Sequence, residues 1–239
     1  MDRTARGKDG ERLVRVPAGQ VELEGNLGIP AEARGVVLFA HGSGSGRHSP
    51  RNRFVAQALR DAGLATLLLD LLTAEEEAVD TYTLHLRFDI RLLAGRLVAA
   101  TDWLAEEPQT TSLPVGYFGA STGAGAALVA AARRPERVGA VVSRGGRPDL
   151  ADEALPAVRA PTLLIVGGDD EVVIGLNEQA LQQLGAPVKE LVIVPGASHL
   201  FEEPGKLEEV ARLAAHWFVR HLRAPTPSLY PLPHQRGRG

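Results

Sequence analysis

From residue 35 onward the chain alternates short apolar runs with longer stretches of helical periodicity. The runs are residues 35–40 (GVVLFA), 65–72 (ATLLLDLL), 114–119 (PVGYFG), 138–142, 161–166 (PTLLIV) and 188–194. Short apolar runs closed by glycine or polar turn residues read as strands buried on both faces. Residues 12–29 alternate loosely between apolar and polar and contain Gly19 and Gly25, which predicts a hairpin of two further strands. Between the strands, a helix opens at Ser49-Pro50 and ends at Gly63. Another runs from Leu84 to Glu106, with Ile90, Leu93, Leu97, Ala100 and Leu104 at helical spacing, and the acidic Glu75–Glu77 before it reads as a loop. Residues 122–133 are an alanine-rich helix, a fourth helix ends at Leu184, and a last one covers residues 206–222.

Strand–helix alternation of this kind specifies an α/β fold: an eight-stranded, mostly parallel sheet with helices on both faces, joined by right-handed crossovers. Residues 1–223 are expected to form one domain, with residues 1–10 flexible. Residues 224–239, rich in proline and basic residues, read as a disordered tail or linker. The segment between the sixth and seventh strands, residues 143–160, is too short for a large cap domain. In open sheets of this type ligands bind beyond the carboxyl ends of the strands.

Composition narrows the chemistry. Apolar residues make up 44% and charged residues 23%, ordinary globular values. A formal charge of −3 gives no reason to expect a nucleic-acid or membrane partner. No apolar run approaches the roughly 18 residues of a membrane span, and the polar start lacks the apolar core of a signal peptide. A cytoplasmic protein is expected, and its oligomeric state is left open. The absence of cysteine removes disulfides, thiolate metal sites and a cysteine nucleophile.

The motif G-x-S-x-G occurs as Gly119-Ala120-Ser121-Thr122-Gly123, between a predicted strand and a predicted helix. There the chain must turn sharply, which projects the Ser121 hydroxyl beyond the sheet edge as a nucleophile. The bland alternative is a serine capping a helix. Ser43, Ser45, Ser143 and Ser198 lie in loops without this elbow.

A serine needs a base. Of seven histidines, only His199 follows the last strand, where its loop can fold back toward Ser121. His85, His216 and His221 belong to helices, and His234 to the tail. The acid that orients the base should follow the preceding strand, and Asp169 and Asp170 both do. The order Ser, Asp, His is the one that accompanies a G-x-S-x-G elbow between strand and helix.

The loop HGSGSG after the third strand lies beside the strand leading to Ser121. An oxyanion intermediate needs preorganised N–H donors about 3 Å away. The backbone amides of Thr122 and Ser43 are the candidates. A phosphate-binding reading of this loop lacks both the third glycine of a dinucleotide fingerprint and the lysine of a P-loop. Arg47 and Arg51 follow the same loop, and Arg144 and Arg147 follow the sixth strand. With His41 and His48 they form a candidate substrate-binding set, in which an arginine fork would hold a carboxylate or phosphate. The competing reading is that these arginines are structural pairs.

HGSGS, GASTG, GGDDEVV and PGASHLFEEP together resemble the dienelactone-hydrolase-related branch of the α/β-hydrolase superfamily, over about residues 12–222. The resemblance implies the α/β-hydrolase fold, acyl transfer to water without metal or organic cofactor, and a small-molecule ester substrate. It places the acid of G-x-x-D at Asp170. One departure matters: dienelactone hydrolases carry cysteine at the elbow, whereas this chain has Ser121, so a general carboxylic ester is the expected substrate. The rival readings are transfer of the acyl group to another alcohol or to peroxide, and a non-catalytic binding protein on the same fold.

Overall fold

The strand Val36–Ala40 is buried along its whole length, as a central parallel strand requires. It belongs to a sheet seen in a computed structural model that describes residues 11–222. The strands are β1 (Glu11–Ala18), β2 (Val21–Gly28), β3 (Val36–Ala40), β4 (Ala65–Leu69), β5 (Val115–Ala120), β6 (Val138–Arg144), β7 (Thr162–Gly167) and β8 (Lys189–Val194). Their order in space is β1-β2-β4-β3-β5-β6-β7-β8. β1 pairs antiparallel with β2 and β2 antiparallel with β4, and every other pairing is parallel. This is the mostly parallel sheet with eight strands that the sequence predicted. The proposed tail, residues 224–239, and the proposed flexible residues 1–10 lie outside the described residues.

The helices are α1 (Pro50–Asp61), α2 (Ala74–Thr83), α3 (Ile90–Glu106), α4 (Thr122–Arg133), α5 (Glu171–Gln183) and α6 (Lys206–His221). They divide the core into two layers. Leu93, Leu97 and Leu104 of α3, Leu128 of α4 and Ala180 of α5 pack on one face with Leu38, Tyr117 and Val141. Val55 and Leu59 of α1 and Val210, Trp217 and Phe218 of α6 pack on the other with Phe39, Phe118, Val142 and Ile165. Each strand thus contributes alternate side chains to each layer. Burying both faces supplies the main driving force, about 1.5–3 kcal/mol for each large apolar side chain removed from water.

The structure corrects the sequence between residues 74 and 89. The acidic stretch is the first turn of α2: Thr73 caps it, accepting from the Glu76 amide at 3.2 Å, while the Glu76 carboxylate accepts from the Thr73 amide at 2.9 Å. Three acids at a helix N-terminus also complement the helix dipole. The long helix expected from Leu84 begins instead at Ile90. Leu84 adopts a left-handed conformation that ends α2, and Asp89 caps α3 by accepting from the Leu92 amide at 2.9 Å. A short 3-10 turn, Leu86–Phe88, joins the two helices. Between β6 and β7 stands only a kinked 3-10 segment, Pro148–Ala157, and no cap domain.

Candidate active site

The junction of β5 and α4 is built around Ser121. Its backbone has φ 50° and ψ −124°, a region that costs a residue with a side chain about 1–3 kcal/mol. The surroundings enforce it. The Ser121 amide donates to the Arg144 carbonyl at 3.3 Å, and the Ser121 carbonyl accepts from the Arg147 amide at 3.0 Å. The flanking glycines have a steric reason: a Cβ at Gly123 would lie 2.2 Å from the Ala40 carbonyl oxygen, and one at Gly119 would lie 2.5 Å from the Ala124 Cα.

His199 follows β8, and its loop folds back over the end of β6: a Cβ at Gly145 would lie 3.5 Å from His199 Nδ1. The same His199 Nδ1 lies 2.6 Å from Asp170 Oδ2. Asp170 stands at the start of α5, just past β7. Asp169 is exposed, and only its backbone is engaged, donating to the Ala197 carbonyl at 3.0 Å. Ser121 Oγ has no hydrogen-bond partner among the described residues. Resting sites of this kind often tighten such contacts only when substrate binds.

The loop after β3 is stitched to its neighbours. His41 Nε2 accepts from the Leu71 amide at 3.0 Å, so the ring proton sits on Nδ1, which donates to the Gly42 carbonyl at 3.0 Å. Burial pushes the His41 pKa down, and the Gly42 carbonyl opposes that shift without cancelling it. With both nitrogens engaged, His41 holds the loop against β4. The Ser43 amide donates to Thr122 Oγ1 at 3.0 Å, so this candidate oxyanion donor already has an acceptor. The Thr122 amide lies in the first turn of α4, where backbone N–H groups have no intrahelical acceptor.

Of the four arginines read from the sequence, Arg47 and Arg147 are drawn into ion pairs of their own. Arg47 is taken up by Asp70 and by Glu24. Arg147 forms a two-pronged pair with Asp149, at 2.8 and 2.7 Å. Arg51 reaches Glu202 at 3.0 Å, and His48 is exposed without a side-chain hydrogen bond among the described residues. Arg144 differs from the rest: it is 7% exposed and, among the described residues, no acceptor meets its guanidinium.

Beside the loop after β3 lies a cleft lined by His41, Ser43, Asp70, Leu72, Arg87 and Leu93. Sequence reading missed Arg87, which it placed inside a continuous helix. Fully buried Asp80 accepts from Arg87 Nε at 2.5 Å and from the Leu86 amide at 2.6 Å, which fixes this wall of the cleft. The Arg87 side chain points toward Gly44 of the loop. Only the capping pattern T-x-x-E at Thr73–Glu76 signalled a helix here.

Comparison with known proteins agrees with this architecture. The family model described as the dienelactone hydrolase family matches residues 23–222. A Mycobacterium tuberculosis protein named as a phosphoribosyl transferase is 62% identical over 216 residues, which cover 90% of this chain and 47% of that protein. The chain thus spans about half the length of the curated relatives it matches. The crystal structure of a dienelactone hydrolase from Anabaena variabilis is 68% identical, with a TM-score of 0.87 over 89% of this chain and 98% of that one. Est1E from Butyrivibrio proteoclasticus shares the fold at 16% identity, with a TM-score of 0.72 over 87% of this chain and 98% of that one. Sheet, elbow and matched length together make this chain a member of the dienelactone hydrolase family, on the α/β-hydrolase fold.

Proposed function

We propose that the chain hydrolyses carboxylic esters of small molecules through a serine nucleophile and an acyl-enzyme. The observation that carries this reading is the strained elbow at Ser121, where φ is 50° and a costly backbone is held by hydrogen bonds from both sides. Strain of this sort persists where function requires the geometry.

In the proposed cycle His199 Nε2 takes the Ser121 proton as Oγ attacks the ester carbonyl. Asp170, at 2.6 Å from Nδ1, holds the ring orientation and stabilises the imidazolium that forms. The negative charge gathers on the former carbonyl oxygen. The Thr122 amide faces it from the positive end of α4. The Ser43 amide joins by leaving Thr122 Oγ1 or by sharing its hydrogen with it. One such donor is worth about 2.7–4 kcal/mol of barrier. His199 then protonates the departing alcohol, and water enters by the same route to release the acid.

The phosphoribosyl transferase name belongs to proteins about twice as long, and the 216 residues this chain shares with them overlap most of the region matched by the hydrolase family model. Labelling with a fluorophosphonate probe tests the reading. The wild type is expected to label stoichiometrically and to lose p-nitrophenyl acetate hydrolysis in step. Folded Ser121→Ala should do neither. Equal labelling of both proteins overturns the assignment.

A further inference from the structure

Arg144 ends β6 one strand from the nucleophile, paired in register with Ala120 and Ile165. Alternation along β6 puts it on the face of Val142, the layer shared with α1 and α6. There its stem is enclosed. Nε and Nη1 are shut off from solvent and meet no acceptor among the described residues. Burial first, and then the like charge of Arg51 in the first turn of α1, lower the Arg144 pKa to about 10. The group is therefore still a cation at neutral pH. Arg51 Nε is likewise enclosed and unpartnered, and one exposed carboxylate, Glu202, serves only Arg51 Nη1. Glu202 belongs to the loop that carries His199.

A guanidinium this deep without a counter-ion is costly, because desolvation is not repaid by any hydrogen bond. The same corner holds the amino-terminal end of the 12-residue helix α1, whose dipole also favours negative charge. We infer that Arg144 and Arg51, at the start of α1 and beneath the His199–Glu202 loop, form a binding site for a small oxoanion. Planar forks of this kind take phosphate or carboxylate oxygens with paired hydrogen bonds. An oxoanion there neutralises the buried charge and braces the loop that positions His199. The site does not depend on the ester reading.

The probe is inorganic phosphate, compared with chloride at equal ionic strength, on the full chain. Wild type should show a saturable rise in melting temperature with phosphate but not with chloride. Arg144→Met should lose that response, and in chloride it should melt no lower than wild type, since it removes an uncompensated charge. If Arg144→Met fails to fold, Arg51→Gln should weaken phosphate about tenfold. Ser121→Ala should respond like wild type, which separates this test from the hydrolytic one.

Kinetics then distinguish the source of the anion. Phosphate that raises KM only for an ester bearing a carboxylate assigns the site to a group of the substrate. Phosphate that changes kcat for neutral and anionic esters alike assigns it to a free anion acting through the loop. A wild type whose melting ignores phosphate, or an Arg144→Met variant that keeps the response, overturns the inference.

Discussion

Asp170 Oδ2 lies 2.6 Å from His199 Nδ1, whereas Asp169, the preceding residue, is exposed and engages the histidine loop only through its backbone. The two aspartates should therefore differ sharply as Asn variants. Asn at 170 favours the wrong ring tautomer and cannot stabilise the imidazolium, a change worth about 10⁴ in kcat in serine-protease triads. Asp169→Asn should stay within about threefold of wild type, since it alters a solvated side chain away from the ring. Steady-state hydrolysis of p-nitrophenyl acetate by both variants checks the ranking, and a reversed order makes Asp169 the acid.

The elbow predicts a trade between stability and activity. Glycine adopts the backbone of Ser121 without the penalty of about 1–3 kcal/mol. Its greater freedom in the unfolded chain returns about 0.5–1 kcal/mol of that. Ser121→Gly should therefore abolish hydrolysis while melting about 2–4 °C higher for each kcal/mol of net gain. A lower melting temperature would mean that the position carries no strain.

Much of this was legible before the fold was known, and the boundary has a physical cause. Ser121, Asp170 and His199 each sit in the turn or loop that follows a strand, so local pattern and chain order pointed to one sheet edge. The partners of the arginines were not legible. Arg47 finds Glu24 and Asp70, each 23 residues away, and Arg51 finds Glu202 across 151 residues. Such pairs depend on how loops meet in space, which periodicity does not encode. The same holds for Arg87, whose environment is set by buried Asp80, between the acidic Glu75–Glu77 and the helix expected from Leu84.

The glycines make a contrast that tests the packing at the elbow. A methyl at Gly123 would meet the Ala40 and His41 carbonyl oxygens at 2.2 and 2.5 Å, backbone atoms of the loop after β3. Gly123→Ala must displace that loop or α4, and a loss above about 4 kcal/mol is expected, as for severe overpacking. Gly175, inside α5, has nothing within 4 Å of an added methyl. Gly175→Ala should gain about 0.5–1 kcal/mol from helix propensity. Urea denaturation of both variants reads the difference.

Acyl preference follows from the absence of a cap between β6 and β7. The cleft beside the loop after β3 is walled by Leu72 and Leu93 and closed by the Asp80–Arg87 pair. Short acyl groups should fit, and kcat/KM across p-nitrophenyl esters should fall beyond about four to six carbons, because each further CH₂ stays in water and gains none of the roughly 0.8 kcal/mol of burial. A maximum at palmitate would point instead to a groove along the exposed Val79, Tyr82 and Phe88.

His41 predicts part of the acid sensitivity of the fold. Its folded pKa is held below the ordinary 6.5 by burial, and protonation of Nε2 would break the bond from the Leu71 amide. As pH falls below 6.5 the unfolded chain binds a proton at this residue while the folded chain stays neutral. Stability rises with pH wherever the unfolded state binds more protons, so here it declines as pH drops toward the lowered folded value. His41→Gln keeps an acceptor for the Leu71 amide and removes the titration. Near pH 7.5 it should be modestly less stable, because the fit to the Gly42 carbonyl is lost. Between about pH 6.5 and 5 its melting temperature should fall less steeply than that of wild type. Carboxylates remote from His41 titrate alike in both proteins, so the difference between the two curves reports His41 together with its coupling to Asp70 and Glu77. Parallel curves across that window would show that His41 binds its proton as readily folded as unfolded, and the loop after β3 would then be held by something other than a neutral imidazole.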